Sequence, residues 1–171
     1  MVIKKICLLL IFFTSFPLTA QNVNYPDIIN NGTIFINGGM GFGYALTSKV
    51  KLPPVIISAD IAIPIAALPI STGIIFAFST EEGSIDYEET EHSSSNFGFA
   101  FRLGYHEGWG ISRLDTYLGL TLGAIMNELR PIFWFGLGIG GRYFFHPRFG
   151  INAELKLGNF YNFSLALSCR I

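Results

Sequence analysis

The sequence predicts an all-β chain of eight antiparallel strands closed up-and-down into a barrel, and three observations carry that prediction. Apolar and polar residues alternate with a period of two over eight segments, which places them on opposite faces of a sheet. Gly, Pro, Asn, Ser or charged residues separate the segments, and no stretch shows a sustained 3.6-residue apolar period with caps. Finally, the 171 residues are 50% hydrophobic and only 13% charged, with 19 Gly and 17 Phe, a balance that excludes a disordered chain and asks for a large apolar contact surface.

The first element is not part of the barrel. Lys4 and Lys5 form a basic start, residues 6–13 (ICLLLIFF) an apolar run, and Thr14 to Ala20 a polar stretch ending in a small residue. The run is far shorter than the ~20 residues a membrane helix needs, so residues 1–20 are expected to be a cleaved export signal. Cys7 leaves with it, and Cys169 remains in the mature chain. No disulfide framework or four-ligand zinc site can then form. Without Lys4 and Lys5 the chain has 9 basic and 12 acidic residues, which excludes a nucleic-acid partner. Residues 21–32 are expected to be a short periplasmic lead-in, and 33–171 the barrel.

The eight strands are expected near 33–46, 54–63, 71–79, 96–106, 114–125, 132–145, 149–157 and 160–171. In the second, Val55, Ile57, Ala59 and Ile61 oppose Ser58 and Asp60. Asp60, Pro64 and Pro69 interrupt the apolar region from Val55 to Phe78, which argues against a membrane helix there. The fourth sets Phe97, Phe99, Phe101, Leu103 and Tyr105 against Gly98, Ala100, Arg102, Gly104 and His106. The sixth sets Phe133, Phe135, Leu137 and Ile139 against Trp134, Gly136, Gly138, Gly140 and Arg142. The seventh alternates Phe149, Ile151, Ala153, Leu155 and Leu157 with Gly150, Asn152, Glu154 and Lys156. In the eighth, Tyr161, Phe163, Leu165, Leu167, Cys169 and Ile171 alternate with Asn162, Ser164, Ala166, Ser168 and Arg170.

Alternation alone also fits a soluble sandwich, or a secreted barrel with its oily faces around a ligand. Glycine and charge placement decide against both. The polar faces are rich in small residues and carry Asp60, Arg102, Asp115, Arg142, Glu154, Lys156 and Arg170, three acids and four bases. Inside a narrow eight-stranded barrel such side chains fill the lumen as ion pairs, and neighbouring glycines make room for them. Most segments also approach the ~9 to 11 residues of a tilted transmembrane strand.

The chain resembles the small eight-stranded outer-membrane barrels of the OmpA-like kind over nearly all of its mature length. The resemblance is carried by Gly136 to Phe145 (GLGIGGRYFF), the His146-Pro147-Arg148 turn, Phe149 to Gly158 (FGINAELKLG), the terminal amphipathic strand, Pro53 to Ile63 and Leu114 to Gly123. It implies periplasmic termini, with external loops near 47–53, 80–95, 126–131 and 158–160 and turns near 64–70, 107–113 and 146–148. Tyr105, Trp109, Tyr143 and Phe145 would then lie at the periplasmic interface. It also implies an outer-membrane location, contact with membrane lipid including lipopolysaccharide, and handling by the barrel assembly machinery. A tethering domain beyond the last strand is not expected.

Residues 81–91 (EEGSIDYEETE) form the strongest charge run, with Glu81, Glu82, Asp86, Glu88, Glu89 and Glu91 and no base. A solvated surface loop is the plain reading; carboxylates binding divalent cations or a basic partner is the functional one. The neighbouring His92, Ser94 and Asn96 are faintly similar to the active site of barrel-type lipid A deacylases, but sit in a Ser-rich loop without an identifiable oxyanion donor. Gly136, Gly138 and Gly141 satisfy GxGxxG, yet strand-like sequence follows where a helix is required. His106 reads as a strand-end residue and His146 as a turn residue. No catalytic, cofactor or metal site emerges, and the chain is expected not to be an enzyme. The expected role is envelope structure or interaction with a surface partner of unknown identity through the loops. The alternatives are a narrow pore, a lipid-modifying barrel enzyme, or a soluble ligand-binding barrel.

Overall fold

The computed structural model describes residues 32–43, 49–63, 68–84, 91–107, 109, 111, 113–127 and 131–171. The expected signal 1–20 and nearly all of the lead-in 21–32 lie outside them. The described chain is a closed antiparallel barrel of eight strands: β1 (Ile34–Phe42), β2 (Lys49–Ala62), β3 (Ile70–Ser84), β4 (Glu91–Glu107), β5 (Leu114–Asn127), β6 (Pro131–Phe144), β7 (Phe149–Gly158) and β8 (Phe163–Arg170). Each strand pairs with its sequence neighbours, and β1 closes on β8 from Phe35↔Arg170 to Phe42↔Phe163. Closure leaves no continuous sheet edge around the barrel.

Period-two patterning places the side chains. β7 alternates exposed and buried residues over nearly its whole length, with Asn152, Glu154 and Lys156 inward and Ile151, Leu155 and Leu157 outward. The oily faces therefore point out. Ile57, Phe101, Phe133, Ile139, Leu155, Leu157 and Leu167 are each more than half exposed. Rings flank this apolar band at both ends. Phe42, Phe78, Phe97, Phe133 and Phe163 stand towards the end formed by the β1–β2, β3–β4, β5–β6 and β7–β8 connections, here called the loop end. Tyr105, Trp109, Tyr143, Phe145 and Phe149 stand at the opposite, turn end. There the Trp109 indole N–H donates to Thr116 Oγ1 at 2.7 Å.

Several expected boundaries move. The 80–95 loop is mostly strand, because β3 and β4 stay paired from Thr80↔Ser95 to Ser84↔Glu91. β2 begins at Lys49, not 54, since Lys49↔Glu82 and Val50↔Glu81 continue its ladder with β3 past an irregularity near Pro53 and Pro54. At the other extreme β8 begins at Phe163, not 160. Tyr161, expected on the oily face, is fully buried, because Phe160 and Tyr161 belong to the β7–β8 connection, where strand alternation no longer applies.

Candidate functional site

Two features stand out: the filled lumen and the unequal height of the wall. In the lumen the inward residues of β2, β4, β5, β6 and β7 bring together six charges. Asp60 Oδ2 accepts from Arg142 Nη2 at 2.7 Å and from Arg102 Nη1 at 3.4 Å. Arg102 Nη2 donates to Glu154 Oε2 at 2.7 Å, and Lys156 Nζ lies 3.2 Å from Glu154 Oε1. Arg142 Nη1 donates to Asp115 Oδ2 at 3.0 Å. These are three acids against three bases, each below 5% exposed, so the buried charge balances without an external counter-ion. Flanking groups hold the cluster in place. The Arg142 guanidinium lies 4.5 Å from the centre of the Phe35 ring and 4.6 Å from that of Tyr117, and the Tyr117 hydroxyl donates towards Asn152 Oδ1 (3.0 Å) and Glu154 Oε2 (3.2 Å).

Glycine supplies the room. A Cβ on Gly136 would sit 2.6 Å from Lys156 Cδ, and one on Gly140 would sit 2.3 Å from the Tyr117 ring. Gly136 and Gly138 of the GxGxxG spacing thus share with Gly140 an inner face of β6 against which long side chains lie, whereas Gly141 has the outward phase; the segment runs on as strand to Phe144.

Arg170 is less deeply buried than these six charges. It is only half-buried near the turn end, where its Nε donates to Pro147 O at 2.9 Å and its guanidinium lies 5.3 Å from the centre of the Phe144 ring. In the ladder it stands opposite Phe35 of β1, which on its other side stands opposite Asp60.

The sequence reading passed over other members of the network. His106 is 1% exposed, not a plain strand-end residue: its Nδ1 lies 2.8 Å from Asp115 Oδ1 and its Nε2 2.7 Å from Ser71 Oγ. A carboxylate oxygen only accepts, so the hydrogen of the first bond is on Nδ1, and Nε2 meets the Ser71 hydroxyl. The order Ser–His–Asp is that of a nucleophile relay. Ser71 is 1% exposed, however, its Oγ engaged by an imidazole that stacks on Phe35, and Phe35 clusters with Ala62 and Phe144 at this end of the lumen. The relay satisfies buried polar groups and presents no open face to a substrate. His106 is in phase with Arg102 along β4, and Tyr117 with Asp115 along β5; that shared phase was the signal available in the sequence.

Towards the loop end the lumen changes character. Trp134, Phe160, Tyr161, Ile56, Ile75 and Ile125 form an apolar cluster with Ala77 and Ala100. Outside it, the wall is tallest at β3–β4. The last rung that β4 shares with β5 is Asn96↔Asn127, and β3–β4 continue for five more rungs, roughly 15 Å of extra strand. The acidic run sits on this projection: Glu81 and Glu82 in β3, Glu91 at the start of β4, with Asp86, Glu88 and Glu89 outside the described residues. His92 is paired strand opposite Gly83, and Ser94 Oγ accepts from Asn127 Nδ2 at 3.4 Å, so neither lies in a loop. Among the described residues, no group of three or more potential metal ligands occurs.

No protein-family model matches the chain, and no curated protein matches it. Solved structures do. A major outer membrane protein from Thermus thermophilus is 13% identical with a TM-score of 0.51, over 83% of this chain and 100% of that one. The outer membrane protein Ail of Yersinia pestis, in a phospholipid bilayer nanodisc, is 16% identical with a TM-score of 0.49, over 82% of this chain and 99% of that one. At such identities the likeness to the Thermus protein concerns the fold: this chain is an all-β, closed eight-stranded antiparallel barrel similar to a barrel of a bacterial outer membrane.

Proposed function

We propose that the chain is an integral outer-membrane barrel, exported by residues 1–20, that acts through its projecting β2–β3–β4 wall and neither conducts nor catalyses. The membrane reading rests on the outward apolar band between two rings of aromatic side chains, a surface far larger than water tolerates on a monomer. The same orientation counts against a soluble carrier, whose oily faces would have to line the interior. The filled lumen counts against a pore. Kinship with the OmpA-like barrels is supported by the strand number and by this division of oil outside and charge inside.

The single observation that carries the interaction role is the projection of β3 and β4 past β5, which carries Glu81, Glu82 and Glu91 of the run of six acids. Acidic residues on a paired hairpin clear of the bilayer surface suit a basic partner, or divalent cations shared with lipopolysaccharide phosphates. The first test is gel mobility of detergent-extracted protein, boiled and unboiled. A heat-dependent shift is expected from a closed barrel; no shift, with solubility in plain buffer, overturns the membrane reading. The second test replaces the six acids by their amides and measures adhesion of whole cells to a polylysine-coated and a lipopolysaccharide-coated surface. Unchanged adhesion to both refutes the role of the wall while leaving the barrel reading intact.

A further inference from the structure

We propose that the open edge of β4, from Glu91 to Ser95, takes an extended basic segment of a partner protein as an added β-strand; this rests on the projecting wall being the interaction surface. Among the described residues, the last rung between β4 and β5 is Asn96↔Asn127, while β4 stays paired with β3 as far as Ser84↔Glu91. Three residues separate Asn127 from Pro131, which already pairs with Met126, too little chain to climb the five overhanging rungs and return. The direction of the free groups follows from the ladder. His106 N donates to Pro69 O and Arg102 O accepts from Thr72 Oγ1, both on the β3 side, whereas Glu107 O accepts from Thr116 Oγ1 on the β5 side. Even-numbered residues of β4 thus bond to β3, and odd-numbered ones face β5. With no β5 beside them, Glu91, Ser93 and Ser95 each turn a backbone N–H and C=O to the open side, beyond the aromatic rung Phe78↔Phe97 and so clear of the apolar band.

Two other strands that overrun a neighbour are protected. β6 extends past β7 from Gly136 to Pro131, and Asn159 covers that edge. Its N and Nδ2 donate to Phe135 O at 3.3 Å and Phe133 O at 2.5 Å, and its Oδ1 accepts from Phe135 N at 3.0 Å. Pro131 has no N–H to leave unpaired. β2, past its last described rung with β1 at Met40↔Val55, carries Pro53, Pro54, Lys51 and Lys49, the residue types that blunt an edge. From Glu91 to Ser95 (EHSSS) β4 has neither proline nor lysine. Charge then selects the occupant. Glu91 stands on the edge strand, Glu81 and Glu82 pair with Ser94 and Ser93, and Asp86, Glu88 and Glu89 lie in sequence between the two strands. A lysine- or arginine-bearing strand meets opposite charge there, whereas a second copy of the same edge would set acid against acid. Backbone pairing supplies the affinity, and the acids supply the choice of partner.

The test uses the barrel in a zwitterionic detergent and a fluorescent peptide of alternating lysine and threonine, with binding followed by anisotropy. Its comparison is the same peptide with every backbone nitrogen methylated, equal in charge but without a backbone donor. Ser93→Pro removes an N–H from the open side and none from the β3–β4 ladder, while Ser93→Ala keeps it; both are first confirmed as heat-shifting barrels. The plain peptide should bind the native and Ser93→Ala barrels alike. Methylation of the peptide, or Ser93→Pro in the barrel, should weaken binding at least about tenfold. Equal binding of the plain and methylated peptides means attraction by charge alone; it overturns strand addition and leaves the acidic wall as the interaction surface. No binding of the plain peptide also overturns strand addition, and adhesion with the six acids replaced then decides separately whether the wall keeps its role. A native barrel that sediments as a dimer, and as a monomer with Ser93→Pro, shows a second copy on the edge and overturns the basic partner. Should Ser93→Pro fail to fold, the methylated peptide decides alone.

Discussion

The two ends of the lumen fill the same width of barrel by opposite means. Towards the turn end, six charged side chains from five strands meet at contact distance, three acids against three bases, with His106 bonded to Asp115 and Tyr117 to Asn152 and Glu154. Towards the loop end, Trp134, Phe160 and Tyr161 pack with isoleucines and alanines. Each kind of filling makes its own demand. Charges hold a barrel together only as a closed set, because a single unpaired ion in a low-dielectric interior costs more than the pair contributes. Rings demand only volume, and volume can be supplied by a connection as well as by a strand.

Opening the closed set should do the greatest damage. Asp60→Ala removes the carboxylate shared by Arg102 and Arg142, leaving three buried bases against two acids, and should lower unfolding stability in detergent by about 4–5 kcal/mol or prevent assembly. Glu154→Ala, which takes the nearer carboxylate from Arg102 and leaves Lys156 without its carboxylate partner, belongs to the same class. Unfolding curves that do not move would show the set is not closed. On the apolar side, Trp134→Ala leaves a cavity beside Phe160 and should cost about 3–4 kcal/mol by the same measurement. A loss as large as that of Asp60→Ala would erase the distinction between the two ends.

A finer probe is Tyr117→Phe, which keeps the ring beneath Arg142 but removes the hydroxyl, leaving Asn152 Oδ1 without its donor. It should cost about 1–2 kcal/mol, and a neutral result would mean that ring stacking alone matters there. The smallest effect is expected at Arg170. It is half-buried where the six are each below 5% exposed, and its change to Ala should cost less than about 1 kcal/mol. A loss near that of Glu154→Ala would return Arg170 to the central set.

Much of this arrangement was legible before any coordinates. Asp60, Arg102, Asp115, Arg142, Glu154 and Lys156 sit on the polar phase of their segments, and phase in a strand is a local property that tertiary structure does not rewrite. Arg170 has that same phase but is only half-buried at the last rung of β8, and how deeply a rung lies depends on barrel stagger, which no single strand encodes. His106 stood on the polar phase of its segment, but as the expected last residue of that strand it was read as an end and not as a lumen group; β4 runs on to Glu107. Tyr161 misled for the converse reason: the alternation of β8 was extended into a connection whose backbone has left the sheet.

The number of strands, the oily face of each, and the inward place of the charges were all written in the order of amino acids, because these follow from period-two alternation and the scarcity of charge on one phase. Folding of the whole chain was needed to choose which acid meets which base, to carry β3 and β4 past β5, and to turn Phe160 and Tyr161 into the mouth. Those outcomes depend on register between strands and on the unequal heights at which neighbouring ladders stop, and both are set by the closing of the whole ring.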